Sequence, residues 1–99
     1  MEPVEAVITT IEEYTGIPLG TLRSQSRVRP IREARQLAIH FIHKHSMMTL
    51  SASARVLRRH HSTAIHSNKA VSNDFDTNKK YRQNYTFFNA VIINKINNV

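Results

Sequence analysis

The run Leu57-Arg58-Arg59-His60-His61-Ser62-Thr63-Ala64-Ile65-His66-Ser67 gathers guanidinium, imidazole and hydroxyl groups into one short stretch. A guanidinium suits phosphate oxygens, an imidazole N–H suits a purine acceptor, and a hydroxyl donates or accepts. Thr63 adds a methyl group of the kind that touches a thymine methyl. At the entry to a helix, where backbone N–H groups also point outward, such a run reads as a surface for phosphates and base edges. A second run, Arg23-Ser24-Gln25-Ser26-Arg27-Val28-Arg29-Pro30, is basic and lacks helical period, so it reads as an exposed loop. The bland alternative for each residue is a solvated side chain, or a helix cap for Ser62 or Thr63.

These groups need elements to hold them. Val4, Val7, Ile8, Ile11 and Tyr14 recur at spacings of three and four between Pro3 and Gly16, which predicts an amphipathic helix ended by a glycine. Pro18, Leu19 and Leu22 suggest a short second helix. Ile31 to His45 restores the period through Ala34, Leu37, Ala38, Phe41 and Ile42 and should be the centre of the core. Thr49 or Ser51 can cap a shorter helix through Leu57 that buries Leu50, Ala54 and Leu57. A further helix from about Ser62 to Asn73 would bury Ile65 and Val71. Asp74 to Asn78 reads as a turn, and Tyr81, Tyr85, Phe88, Val91, Ile92 and Ile96 place a last helix over 79–97. The expected class is all-α with five to six helices in one domain covering residues 1–99, since this length holds a single core.

Composition narrows the chemistry. The net charge is +7, and it is uneven: residues 1–22 carry Glu2, Glu5, Glu12 and Glu13 without Lys or Arg, whereas residues 23–71 hold ten Lys or Arg against Glu33 alone. A central basic block points to a polyanionic partner. There is no cysteine, which removes disulfides and thiolate metal sites. The N-terminus has no basic, then apolar, export pattern and no run is long enough to span a bilayer, so a cytoplasmic protein without membrane contact is expected. His40 and His43 lie three apart, but no accompanying ligand spacing makes the six histidines a metal set. No nucleophile, base and orienting acid stand together. Neither an enzyme nor a cofactor or metal is expected. Tyr81, Tyr85, Phe87 and Phe88 could stack single-stranded bases, yet their spacing better suits the core or a partner surface, with Phe87 off the stripe.

A short helix over 50–57, a tight basic link and a helix beginning near Ser62 follow the order of a helix-turn-helix unit, whose second helix lies in the major groove of DNA. Two segments then carry a family resemblance: Arg27-Val28-Arg29-Pro30-Ile31-Arg32-Glu33-Ala34-Arg35-Gln36, and His61-Ser62-Thr63-Ala64-Ile65-His66-Ser67. They resemble the C-terminal DNA-binding domain of the bacterial replication initiator DnaA, where a basic loop precedes a long helix and a later segment reads D-H-[TAS]-T-V-x-H-A. Glu13-Tyr14 and Ile17 are similar to that domain's opening pattern. The likeness covers about residues 4–72 and implies a Trp-repressor-like helix-turn-helix fold.

The resemblance implies roles where residues match. Arg27 corresponds to a loop arginine that enters the minor groove, Arg35 to a helix arginine near the DNA backbone, and His61, Ser62 and Thr63 to major-groove readers. Arg32, Arg35, Arg58, Arg59 and Lys69 are expected at phosphates, Arg29 at the DNA without an assigned role, and His60 at a base. The family's G-R-D-H is replaced by Arg58-Arg59-His60-His61 in a link one residue shorter. Aspartate accepts from cytosine N4, whereas histidine donates to guanine or adenine, so the preferred site should differ. No G-x-x-x-x-G-K-[ST] loop is present, so nucleotide-driven origin opening is not expected of this chain. The expectation is a stand-alone, sequence-selective double-stranded DNA-binding protein, a regulator or replication accessory. A homodimer or protein partner through the last helix is the speculative addition, and a protein-interaction module that keeps the fold is the rival reading.

Overall fold

The computed structural model describes residues 1–98, which form six helices and no strand. Helix α1, Pro3–Thr15, starts on a proline in its first turn and stops where Gly16 takes the left-handed conformation, φ 73°, its N–H donating to Glu12 O at 3.0 Å. Val7, Ile8 and Ile11 are buried as their spacing predicts, but Tyr14 is half-exposed and sets its edge against Phe87, 5.0 Å between ring centres. Helix α2, Leu19–Leu22, buries Leu22, and its first N–H is taken by the Glu12 carboxylate at 3.0 Å.

Helix α3, Arg29–Ser46, runs through the middle of the molecule and buries Ala34, Leu37, Ala38, Ile39, Phe41 and Ile42. It begins two residues before the expected start, because Pro30 falls in the first turn, where the missing N–H leaves no helical bond unmade. Arg29 is thereby a helical residue, four before Glu33, and donates to its carboxylate at 2.8 Å. Helix α4, Leu50–Val56, is capped by Thr49, whose Oγ1 accepts from Ala52 N at 3.1 Å.

Helix α5 spans His61–Thr77, longer than expected at both ends. The expected turn over Asp74 to Asn78 is corrected: only Asn78 breaks the helical backbone. The added length is held from outside, since Arg82 donates to Phe75 O at 2.9 Å and Asp76 O at 3.2 Å, satisfying carbonyls at the helix end. Ile65 is also corrected, from buried to 41% exposed. The inward positions of α5 are Ala64, Ser67 and Val71, and one residue's 100° step carries Ile65 off that line.

Helix α6, Lys79–Asn97, lies where the spacing predicts, with Asn78 Oδ1 accepting from Tyr81 N at 3.0 Å. It packs on α1 and α5. Ile92 is buried, and Tyr85 meets Phe41 at 4.8 Å between ring centres. Lys95 donates to Glu13 at 2.7 Å, so part of the acidic first helix is neutralised within the fold. His40 bridges three helices, paired with Asn68 Oδ1 and Tyr85 Oη, each at 2.7 Å. Burial is the chief influence on this ring and holds it below the usual histidine range.

Candidate nucleic-acid interface

Helices α4 and α5 are joined by a turn, and α3 packs across both. The turn closes as a Schellman motif: Arg59 N–H donates to Ala54 O and Arg58 N–H to Arg55 O, both at 2.9 Å. The residue that must be left-handed in this closure is Arg58, φ 56°. A glycine is usual there, because an L side chain in this region is strained. Arg58 is nonetheless exposed and free to project its charge.

The cap of α5 is His60. Its Nδ1 accepts from Ser62 N at 3.4 Å and stands 3.2 Å from Ser62 Oγ. An Nδ1 that accepts leaves the proton on Nε2, so the exposed side of the ring is a donor. His61 and Ser62 are exposed in the first turn, and Thr63 is half-buried beside the basic loop. Helix α5 therefore offers hydroxyl and imidazole groups at the end where its backbone N–H groups and dipole favour anions.

Between the loop and this helix end lies a cleft of about 580 Å³. Gln25 and Arg27 line it from the loop, and Arg32, Arg35 and Gln36 from α3. Arg58, Arg59 and His60 face it from the turn, and Thr63, His66 and Ser67 from α5. The structure thus brings Arg27, Arg32, Arg35, Arg58, Arg59, His60 and Thr63 together. Arg29, His61, Ser62 and Lys69 lie outside the cleft lining, all four exposed. Gln25, Gln36, His66 and Ser67 line the cleft without a role assigned from the sequence; His66 was legible as the residue one turn beyond Thr63 on the same helix face.

The arginines are not equivalent. Arg35, expected near the DNA backbone, lines the cleft but is only 6% exposed and commits its Nε and Nη2 donors to the protein. Its Nε donates to Leu22 O at 2.7 Å, and its Nη2 to Ser24 O and Ser26 O, both at 3.1 Å. Burial, and secondarily the nearby Arg59 charge, push its pKa below the usual guanidinium range. Arg59 also reaches Ser24 O, and Arg23 donates to Val56 O at 2.9 Å. Arg27, Arg32, Arg58 and Lys69 remain exposed cations.

A helix-turn-helix of α4 and α5, flanked by a basic loop at the N-terminus of its second helix, defines the class as a DNA-binding all-α domain. The family described as the bacterial DnaA protein helix-turn-helix matches residues 4–71, and the chain belongs to it. The chromosomal replication initiator protein DnaA of Porphyromonas gingivalis is 25% identical over 92 residues, 92% of this chain and 20% of that protein. The DnaA of Flavobacterium psychrophilum is 27% identical over 81 residues, 81% of this chain and 17% of that protein. That of Wolbachia pipientis is 29% identical over 79 residues, 79% of this chain and 17% of that protein. The chain spans about a fifth of the length of the curated relatives it matches. Among the described residues, no helix is long and apolar enough to cross a membrane.

Proposed function

We propose that this domain binds duplex DNA sequence-selectively and acts by occupancy, as a regulator or replication accessory. The observation that supports the reading is the shared cleft, which Arg27 of the loop and Thr63 of α5 both line together with several other cations. With α5 in a major groove, His60, His61, Ser62 and Thr63 meet base edges. Arg27 enters the neighbouring minor groove, whose narrow, electronegative form attracts arginine. Arg29, Arg32, Arg58 and Lys69 neutralise phosphates, with Arg29 weakened in that role by its pairing to Glu33. His60 uses Nδ1 for the helix, so its Nε2–H is directed to a purine acceptor where the family's aspartate would accept from cytosine.

Selection of duplexes from a random pool, followed by binding to wild type and Thr63→Ala, tests this. Removing the Thr63 contact should cost about 1–3 kcal/mol on the selected duplex and relax preference at one position. Equal binding of both proteins to selected and random duplexes overturns the reading. Binding insensitive to salt would instead favour the protein-interaction alternative, because contacts through several cations must weaken steeply as salt rises.

A further inference from the structure

The loop 24–28 carries Arg27 but has little secondary structure of its own. Its internal bonds are two side-chain contacts, Ser26 N–H to Ser24 Oγ and Val28 N–H to Ser26 Oγ, both at 3.3 Å. Its carbonyls are held instead by guanidinium groups from elsewhere in the fold. Arg35 of α3 bonds the carbonyls of Leu22, Ser24 and Ser26, which brackets the loop from its start to the residue before Arg27. Arg59 of the turn reaches the same Ser24 carbonyl. That carbonyl is therefore a junction between the loop, α3 and the helix-turn-helix turn.

From this junction we infer that Arg35 and Arg59 are positioning residues, a guanidinium clamp fixing the offset between Arg27 and Thr63. The inference rests on the DNA-binding reading above and adds how the two reading elements are kept in register. A site that contacts two grooves gains from both only when their spacing is set before binding; otherwise the second contact is weakened by the cost of ordering the loop. Arg35 suits this task because its planar fork spans several acceptors in a fixed geometry. Its Nε and Nη2 donors are committed to the loop carbonyls, and the residue as a whole is 6% exposed.

Lysine substitutions separate this role from simple charge. Arg35→Lys and Arg59→Lys keep the charge but cannot span the acceptors as the fork does. Binding is measured to the duplex selected by wild type and to a scrambled duplex of the same composition, over a range of salt. The clamp predicts that Arg35→Lys binds the selected duplex about tenfold more weakly, with scrambled-duplex affinity within about twofold and an unchanged salt slope. It also predicts that the penalty for Arg27→Ala, about tenfold in wild type, shrinks to about threefold or less in the Arg35→Lys background, since an unpositioned Arg27 has less to lose.

Equal binding of both lysine variants and wild type to the selected duplex overturns the clamp. So does an equal loss on both duplexes with a shallower salt slope, which is the signature of a phosphate contact. If Arg35→Lys melts early, the half-buried Arg59→Lys decides by the same readings. A wild type without duplex preference marks failure of the DNA-binding reading itself, a result separate from a selective wild type with indifferent lysine variants.

Discussion

Replacing Arg58 with glycine should make the domain more stable and a weaker DNA binder. Arg58 closes α4 at φ 56°, with its own N–H and that of Arg59 both bonded at 2.9 Å to carbonyls of the preceding turn. A left-handed conformation costs an L residue roughly 1–2 kcal/mol, whereas glycine adopts it freely. Glycine also gains chain freedom when unfolded, which offsets about 0.4–1 kcal/mol. The net gain is about 0.5–1 kcal/mol, and for a domain of this size each kcal/mol shifts Tm by about 4–8 °C. The rise should therefore be roughly 2–8 °C. If Arg58 contacts a phosphate, its loss lowers the slope of log affinity against log salt by about 0.9 and weakens all sequences alike. Arg58→Ala completes the design, because it removes the charge and retains the strained backbone. Thermal melting and salt-titrated binding of the three proteins then give two independent readings. Glycine and alanine should weaken binding equally, and only glycine should raise Tm. Equal melting of the two variants would refute the backbone argument; an unchanged salt slope in both would refute the phosphate role.

His60 and the interior histidines give further predictions. His60→Asp retains a cap acceptor and should keep the wild-type melting point, while base preference at one position moves from purine to cytosine in duplex selection. His60→Ala should instead lose about 0.5–2 kcal/mol of stability by melting. His40 and His45 titrate below the ordinary histidine value, chiefly through burial, with Lys44 adding repulsion to both and His43 to His40. The unfolded chain therefore binds protons first as pH falls. Stability is full above about pH 6.5 and is lost as pH falls from there through the lower folded-state values. Tm should drop between pH 7.5 and 5.5, and drop less in a His40→Gln, His45→Gln double variant; a flat wild-type profile contradicts this.

Periodicity made much of the architecture legible. Leu37, Ala38, Phe41 and Ile42 lie inside α3 as their spacing requires, and the Tyr81, Tyr85, Phe88, Ile92 and Ile96 stripe places α6 over its observed range. What sequence left obscure depended on partners far along the chain. Asp74 to Thr77 carry turn-forming residues, yet Arg82 holds them helical by binding the carbonyls of Phe75 and Asp76. Ile65 is apolar enough to be buried, but α5 turns Ala64 and Val71 inward and leaves it outside. The basic motifs converge on one cleft, but residue type does not distinguish an arginine facing solvent, such as Arg27, from one committed to carbonyls, such as Arg35. Arg58 shows the reverse difficulty: a glycine would have announced the left-handed closure, and an arginine conceals it.

Chemical interference on the selected duplex tests most directly whether the loop and α5 grip adjacent grooves together. Methyl groups at guanine N7 occupy the major groove and those at adenine N3 the minor groove. Both modifications should block binding at separate positions within about one helical turn, and Arg27→Ala should abolish the minor-groove interference alone. Interference confined to one groove, or a pattern unchanged by Arg27→Ala, would contradict the two-groove grip.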